Sequence, residues 1–109
     1  RRMADDALAL QNAGCFAVVL ECIPWDLARR ITESLAIPTI GIGAGIHCTG
    51  QVLVLSDLIG LTPGPVPRFV KQYAHVGASI KRAIRAYARE VREGQYPDKE
   101  HAYRAPKED

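Results

Sequence analysis

Apolar residues recur at helical spacing from the start of the chain. Met3, Ala7 and Leu10 fall at i, i+4 and i+7, which predicts a helix over residues 3–13, with Gly14 placed to end it in a left-handed turn. No Ser, Thr, Asp or Asn stands ahead of Arg1 to cap that helix, so further sequence is expected upstream. The pattern then changes. Residues 16–20, Phe-Ala-Val-Val-Leu, form a continuous apolar run of the kind found in a strand covered on both faces. Pro24 opens a second helix, to about residue 35, in which Leu27, Ile31 and Leu35 repeat every fourth residue. Ile37-Pro38 breaks it, and Thr39-Ile40-Gly41-Ile42 reads as the next strand. Residues 16–42 are therefore strand, helix, strand, and a third strand is predicted over residues 51–55. Alternation of this kind indicates an α/β fold built on a parallel sheet.

Beyond this unit, Gly60, Pro63, Gly64, Pro65 and Pro67 mark a loop. The remainder reads as helical to about residue 93, with a break near Gly77 and a stop at Gly94. Ile80, Ile84, Tyr87 and Val91 make one apolar face, while Lys81, Arg82, Arg85, Arg89 and Arg92 decorate the rest. Glu90 and Glu93 interrupt the basic residues, which favours a solvated face over a nucleic-acid surface. The organisation expected is residues 1–66 as three βα units and residues 67–109 as the helices and tail of the same domain.

Composition narrows the picture only slightly. With 48% hydrophobic and 24% charged residues and a net charge of +2, the 109 residues have ordinary globular character. No apolar run approaches the ~18 residues that span a bilayer, and no signal-like segment leads the chain, so a cytoplasmic protein with neither nucleic-acid nor membrane partners is expected. The three cysteines, Cys15, Cys22 and Cys48, are odd in number and lack Cys-x-x-Cys spacing, which argues against a disulfide framework or a structural zinc site.

Glu21 is the sharpest chemical feature. A carboxylate placed directly after five apolar residues is costly to bury unless something pairs with it or uses it. At the C-terminal end of a barrel strand it would face an active site, and a partly desolvated carboxylate can serve as a general base near neutrality. An ion pair with an Arg or Lys elsewhere explains the same residue, and the residues alone leave both readings standing. Gly41-Ile42-Gly43-Ala44-Gly45 is a glycine-rich turn after a strand, which can hold a ligand or simply turn tightly. Ile46 occupies the position where the dinucleotide fingerprint needs its third glycine, and no Gly-Lys-Ser/Thr follows. No Lys or Arg flanks the turn in sequence, which weakens a phosphate site there. His47 and Cys48 read as a surface loop, and Asp57 as a helix cap or a residue lining the site.

Taken in order, Val19-Leu20-Glu21-Cys22-Ile23-Pro24, then residues 36–45 (Ala-Ile-Pro-Thr-Ile-Gly-Ile-Gly-Ala-Gly), then Gly50-Gln51-Val52-Leu53-Val54, and finally Gly94-Gln95-Tyr96-Pro97 with Glu100-His101, resemble the ketopantoate hydroxymethyltransferase family. The resemblance covers residues 3–103 and implies the C-terminal part of a (β/α)8 barrel, its sixth to eighth strands. It implies transfer of a hydroxymethyl group from methylene-tetrahydrofolate to 3-methyl-2-oxobutanoate, giving 2-dehydropantoate for pantothenate biosynthesis. It further implies Mg²⁺, large homo-oligomers, and Glu21 as the catalytic base. The family's metal-binding acids and keto-acid-binding lysine belong to the first five βα units, so no metal ligand is assigned here, and the 109 residues alone are expected to be inactive. Three strands also leave a sheet edge open, so the chain is expected to pair with an N-terminal half or with its own copies. Two alternatives stand beside this reading: a non-catalytic remnant that serves assembly, and another α/β-barrel enzyme that binds a phosphorylated substrate at Gly41–Gly45.

Overall fold

The computed structural model describes residues 2–107. Helix α1 (Arg2–Asn12) leads into strand β1 (Val18–Glu21), helix α2 (Trp25–Ser34) and strand β2 (Thr39–Ile42). A short strand β3 (Gly50–Gln51), a single-turn helix α3 (Leu55–Leu58) and a long helix α4 (Val76–Arg92) follow. The three strands form one parallel sheet in the order β1-β2-β3, with Val19 opposite Ile40, Glu21 opposite Ile42, and Gly41 opposite Gln51. The α/β alternation read from the hydrophobic pattern is thus present.

The sheet has one dressed face and one bare face. Alternation along β1 turns Val18 and Leu20 toward the helices, where they pack with Ala7, Ala28, Ile31 and Ala44. Val19 and Glu21 point the other way, and Val19 is 61% exposed. Ile31 is only 1% exposed, which makes it the largest apolar side chain fully enclosed in this core. The fully buried polar residue is Thr39, at the start of β2. Its hydroxyl is satisfied on both sides. Thr32 Oγ1 donates to the Ala28 carbonyl at 2.8 Å, so Thr39 is the donor in the 2.8 Å hydroxyl pair with Thr32. Thr39 Oγ1 also accepts the Thr49 N–H at 3.2 Å, and Thr49 Oγ1 accepts the Thr39 N–H at 3.1 Å. This network ties β2 to α2 and anchors the far end of the glycine turn.

The chain departs from the sequence reading in three places. The first strand begins at Val18, and Phe16, which the apolar run included, is 89% exposed. The third strand is two residues long instead of five. Val52 N–H still bonds the Gly41 carbonyl at 3.0 Å, but β2 ends one residue later at Ile42, and residues 55–58 coil into α3. Finally, α4 begins at Val76 and does not run back to the proline-rich loop. Gly77 N–H donates to the Gly60 carbonyl at 3.1 Å, and a Cβ on Gly77 would stand 2.9 Å from that same oxygen. The predicted break is not present: no helix precedes Val76 after the proline-rich loop, and Gly77 lies within the first turn of α4. Gly94 closes α4 as expected: its φ is +71°, and Gln95 N–H reaches the Glu90 carbonyl at 2.8 Å. None of the described residues of α4 is buried, and Ile80, Ile84, Tyr87 and Val91 remain exposed along one side.

Candidate active site

In a parallel sheet all strands deliver their carboxyl ends to the same edge, where the following loops create a crevice. Here that edge carries a cavity of about 840 Å³. Its first wall is the segment after β1, from Cys22 to Trp25. Cys22 has φ +53°, a left-handed conformation rare for a residue with a Cβ, and its N–H continues the ladder to the Ile42 carbonyl at 2.9 Å. The chain therefore turns sharply off the strand and throws residues 23–25 across the sheet edge.

The second wall is the glycine turn, represented by Gly43, Gly45 and Ile46. Both glycines have positive φ, and both are pressed by an aromatic residue. A Cβ on Gly45 would lie 2.4 Å from Trp25 Cβ, and one on Gly43 would lie 2.8 Å from the Phe69 ring. Gln51 Nε2 clamps the turn by donating to the Gly45 carbonyl at 2.8 Å. Trp25 is held from outside by the His47 imidazole, with ring centroids 5.8 Å apart. Phe69 arrives from the proline-rich loop and brings Arg68 with it, the one charged residue lining this cavity. A smaller cavity of about 380 Å³ adjoins the first and shares Gly43, Gln51 and Phe69 with it.

Glu21 is the last residue of β1, at the carboxyl edge as predicted. Its surroundings differ from the prediction. It is exposed, it makes no salt bridge among the described residues, and it lines neither cavity, its neighbour Cys22 being the residue that does. The shielded pocket expected around it is absent, because Glu21 projects from the bare face of the sheet, where no described element covers it. The ion-pair alternative has no partner here either. The cation that seemed missing from the glycine turn is supplied by Arg68, brought in by folding. His47 is exposed as expected, whereas Cys48 is buried, its Sγ 2.8 Å from where a Gly41 Cβ would be. Asp57 neither caps a helix nor lines a cavity: it lies inside α3 and accepts a hydrogen bond from Thr62 Oγ1. Trp25, Arg68 and Phe69 escaped the sequence reading. A lone tryptophan directly after the proline that opens α2 was the one available signal.

Among the described residues, no group of three His, Cys, Asp or Glu side chains is placed to hold a metal ion. These residues do not form a cradle for Mg²⁺. No helix of the described residues is long and apolar enough to cross a membrane.

The family described as ketopantoate hydroxymethyltransferase matches residues 1–99. The chain is 55% identical over 103 residues to the 3-methyl-2-oxobutanoate hydroxymethyltransferase of Heliobacterium modesticaldum, covering 94% of this chain and 37% of that protein. It is 56% identical over 103 residues to that of Anaeromyxobacter dehalogenans, with 94% and 34% covered, and 55% identical over 103 residues to that of Moorella thermoacetica, with 94% and 38% covered. The chain thus spans little more than a third of the length of these relatives. With the family's match running over residues 1–99, which include both walls of the cavity, the chain belongs to the ketopantoate hydroxymethyltransferase family.

Proposed function

We propose that this chain forms the sixth to eighth βα units of a (β/α)8 barrel that transfers a hydroxymethyl group from methylene-tetrahydrofolate to 3-methyl-2-oxobutanoate, with Glu21 as the base. Residues 1–66 would supply the strands and residues 67–109 the closing helices and tail. The observation that carries this reading is the position of Glu21 at the carboxyl end of a parallel strand, one residue before Cys22, which lines a cavity built from the segments after β1 and β2, Gln51 of β3 and the proline-rich loop. In a closed barrel the face bearing Val19 and Glu21 turns inward, and the remaining strands supply the cover missing here. We further propose that the small-molecule substrates meet in a homo-oligomer of such barrels, and that the 109 residues alone lack activity.

The chemistry requires a carbon acid. The methine carbon beside the keto group of 3-methyl-2-oxobutanoate loses its proton to the Glu21 carboxylate, and the electron pair is left as an enolate. That carbon forms a C–C bond to the methylene carbon of the folate. Both C–N bonds of that methylene break, their electron pairs return to the folate nitrogens, and one water supplies the hydroxyl oxygen. The proton taken by Glu21 goes to one nitrogen and the proton released by the water goes to the other, so no external oxidant or reductant is needed.

Two measurements test this in the intact protein. Glu21→Gln should lower turnover by about 10²–10⁴-fold, the range of a lost general base. It should also abolish exchange of the methine hydrogen for deuterium in D2O without folate, a step that isolates proton removal. Exchange at the wild-type rate in Glu21→Gln would remove Glu21 from the reaction. A second reading, a phosphorylated ligand at Gly41–Gly45, gains one observation from the structure, the entry of Arg68 into the cavity. Saturable binding of inorganic phosphate would favour it.

A further inference from the structure

Gln51 joins two parts of the site that the strands themselves do not connect. In the register of the sheet it lies opposite Gly41, and Gly41 lies opposite Leu20, so the three share the face that packs on the helices, while Glu21 belongs to the other face. The Gln51 side chain bends toward the carboxyl edge, where Nε2 donates to the Gly45 carbonyl at 2.8 Å. Its Oε1 passes 3.2 Å from where a Gly41 Cβ would be, so a methyl group at position 41 would crowd the amide. The turn has little else to hold it. Among the described residues, no backbone hydrogen bond starts or ends on residues 43–48, and the Gln51 bond is the one side-chain hydrogen bond made to them. The far end is tied at Thr49 to Thr39. Gly45 is also where the two walls of the cavity meet, since a Cβ there would strike Trp25 Cβ and lie 3.2 Å from its Cα. Gln51 thus fastens the wall made by the turn against the wall made by residues 22–25, and it borders both cavities.

We infer that Gln51 is a positioning residue for carbon–carbon bond formation: its amide N–H fixes the Gly45 peptide, and with it the spacing of the two walls beyond the end of β1. The inference rests on the hydroxymethyl-transfer reading above and adds to it a residue that acts through the turn and touches no reacting atom. The two steps of that reaction depend on the walls unequally. Proton removal needs the keto acid and Glu21, which lies on the opposite face and is held in the ladder between β1 and β2. Bond formation needs a second reactant held about 3–3.5 Å from the enolate carbon, and a misplacement of about 1 Å there costs about 10²-fold. Loosening the turn therefore falls on the second step and spares the first.

The test uses the intact protein and two readouts: hydroxymethyl transfer at saturating substrates, and methine exchange in D2O without folate. Gln51→Met keeps the length of the side chain and removes the donor. Gln51→Glu keeps its shape and, when ionised, can only accept. Both should lower kcat for transfer by about 10²-fold and leave the KM of the keto acid and the exchange rate unchanged. Transfer at the wild-type rate in either variant overturns the inference, because the donor is then dispensable. A loss of exchange as large as the loss of transfer also overturns it, because Gln51 then supports the fold as a whole and not one step. The base assignment is judged separately: Glu21→Gln should lose exchange and transfer together. A wild type that neither exchanges nor transfers refutes the reading beneath the inference, and the inference with it.

Discussion

Replacing Thr39 by valine tests how the glycine turn is held. The shape is nearly conserved and only the hydroxyl is lost. In the native chain that oxygen donates to Thr32 at 2.8 Å and accepts from the Thr49 N–H at 3.2 Å, and the residue is fully buried. Two hydrogen bonds at about 1 kcal/mol each are removed, and a partly buried N–H loses its partner, which adds about 1–3 kcal/mol. The expected cost is about 3–5 kcal/mol. Thr39→Ser is the matched control: it keeps both bonds and removes one methyl group, for about 1 kcal/mol. Urea unfolding of the intact protein, followed by circular dichroism, reads both variants on one scale. If serine destabilises more than valine, packing rather than the hydroxyl network holds β2, and the reasoning fails. A second readout follows from position. Thr49 anchors the end of the loop whose beginning carries Gly43 and Gly45, so Thr39→Val should weaken ligand binding in the cavity more than Thr39→Ser does.

Three further outcomes follow. Gly45→Ala should disturb the site more than Gly43→Ala, because its Cβ would meet Trp25 Cβ at 2.4 Å and the Trp25 backbone at 3.2 Å, whereas Gly43 meets a side-chain ring at 2.8 Å that can rotate; thermal unfolding in the opposite order would refute this. The His101 imidazole and N–H, both bonded to Asp98, hold the Asp98 carboxyl below its ordinary value of 3.8. A depressed carboxyl stabilises the tail turn above the unfolded value and loses that contribution as pH falls through the folded one, so His101→Ala should move the Asp98 titration upward by carboxyl NMR, and an unmoved curve would rule the contact out. Finally, the 109-residue chain by itself should sediment above monomer mass, because the bare sheet face, the open strand edges and the apolar side of α4 all lack partners; a well-behaved monomer would contradict this.

What the sequence revealed and what it concealed divide along physical lines. Strand β2 was legible to the residue because Pro38 ends one element and the glycine turn ends the next. Helices α1, α2 and the C-terminal stop of α4 were legible from apolar periodicity and from Gly14 and Gly94. The third strand was overextended because Val52-Leu53-Val54 has strand-forming composition, yet a strand needs a neighbour, and β2 has already ended. The exposure of Glu21 was not legible, since shielding is a property of the atoms opposite a residue and not of the residue itself. Arg68 was invisible as a site residue for a related reason: it is distant from Gly45 along the chain and reaches the cavity only because Phe69 packs on Gly43.

The contact between Gly60 and Gly77 has a mechanical consequence. The 17 residues of α4 form a rod of about 25 Å at 1.5 Å per residue, mounted on one end. Turning the mount by about ten degrees would sweep the free tip through roughly 4 Å, estimated from the same rise per residue, without displacing a single cavity atom. Two residues without side chains therefore set the heading of the longest element in the chain, and adding a methyl group to either would redirect that rod while leaving the chemistry at the strand ends untouched.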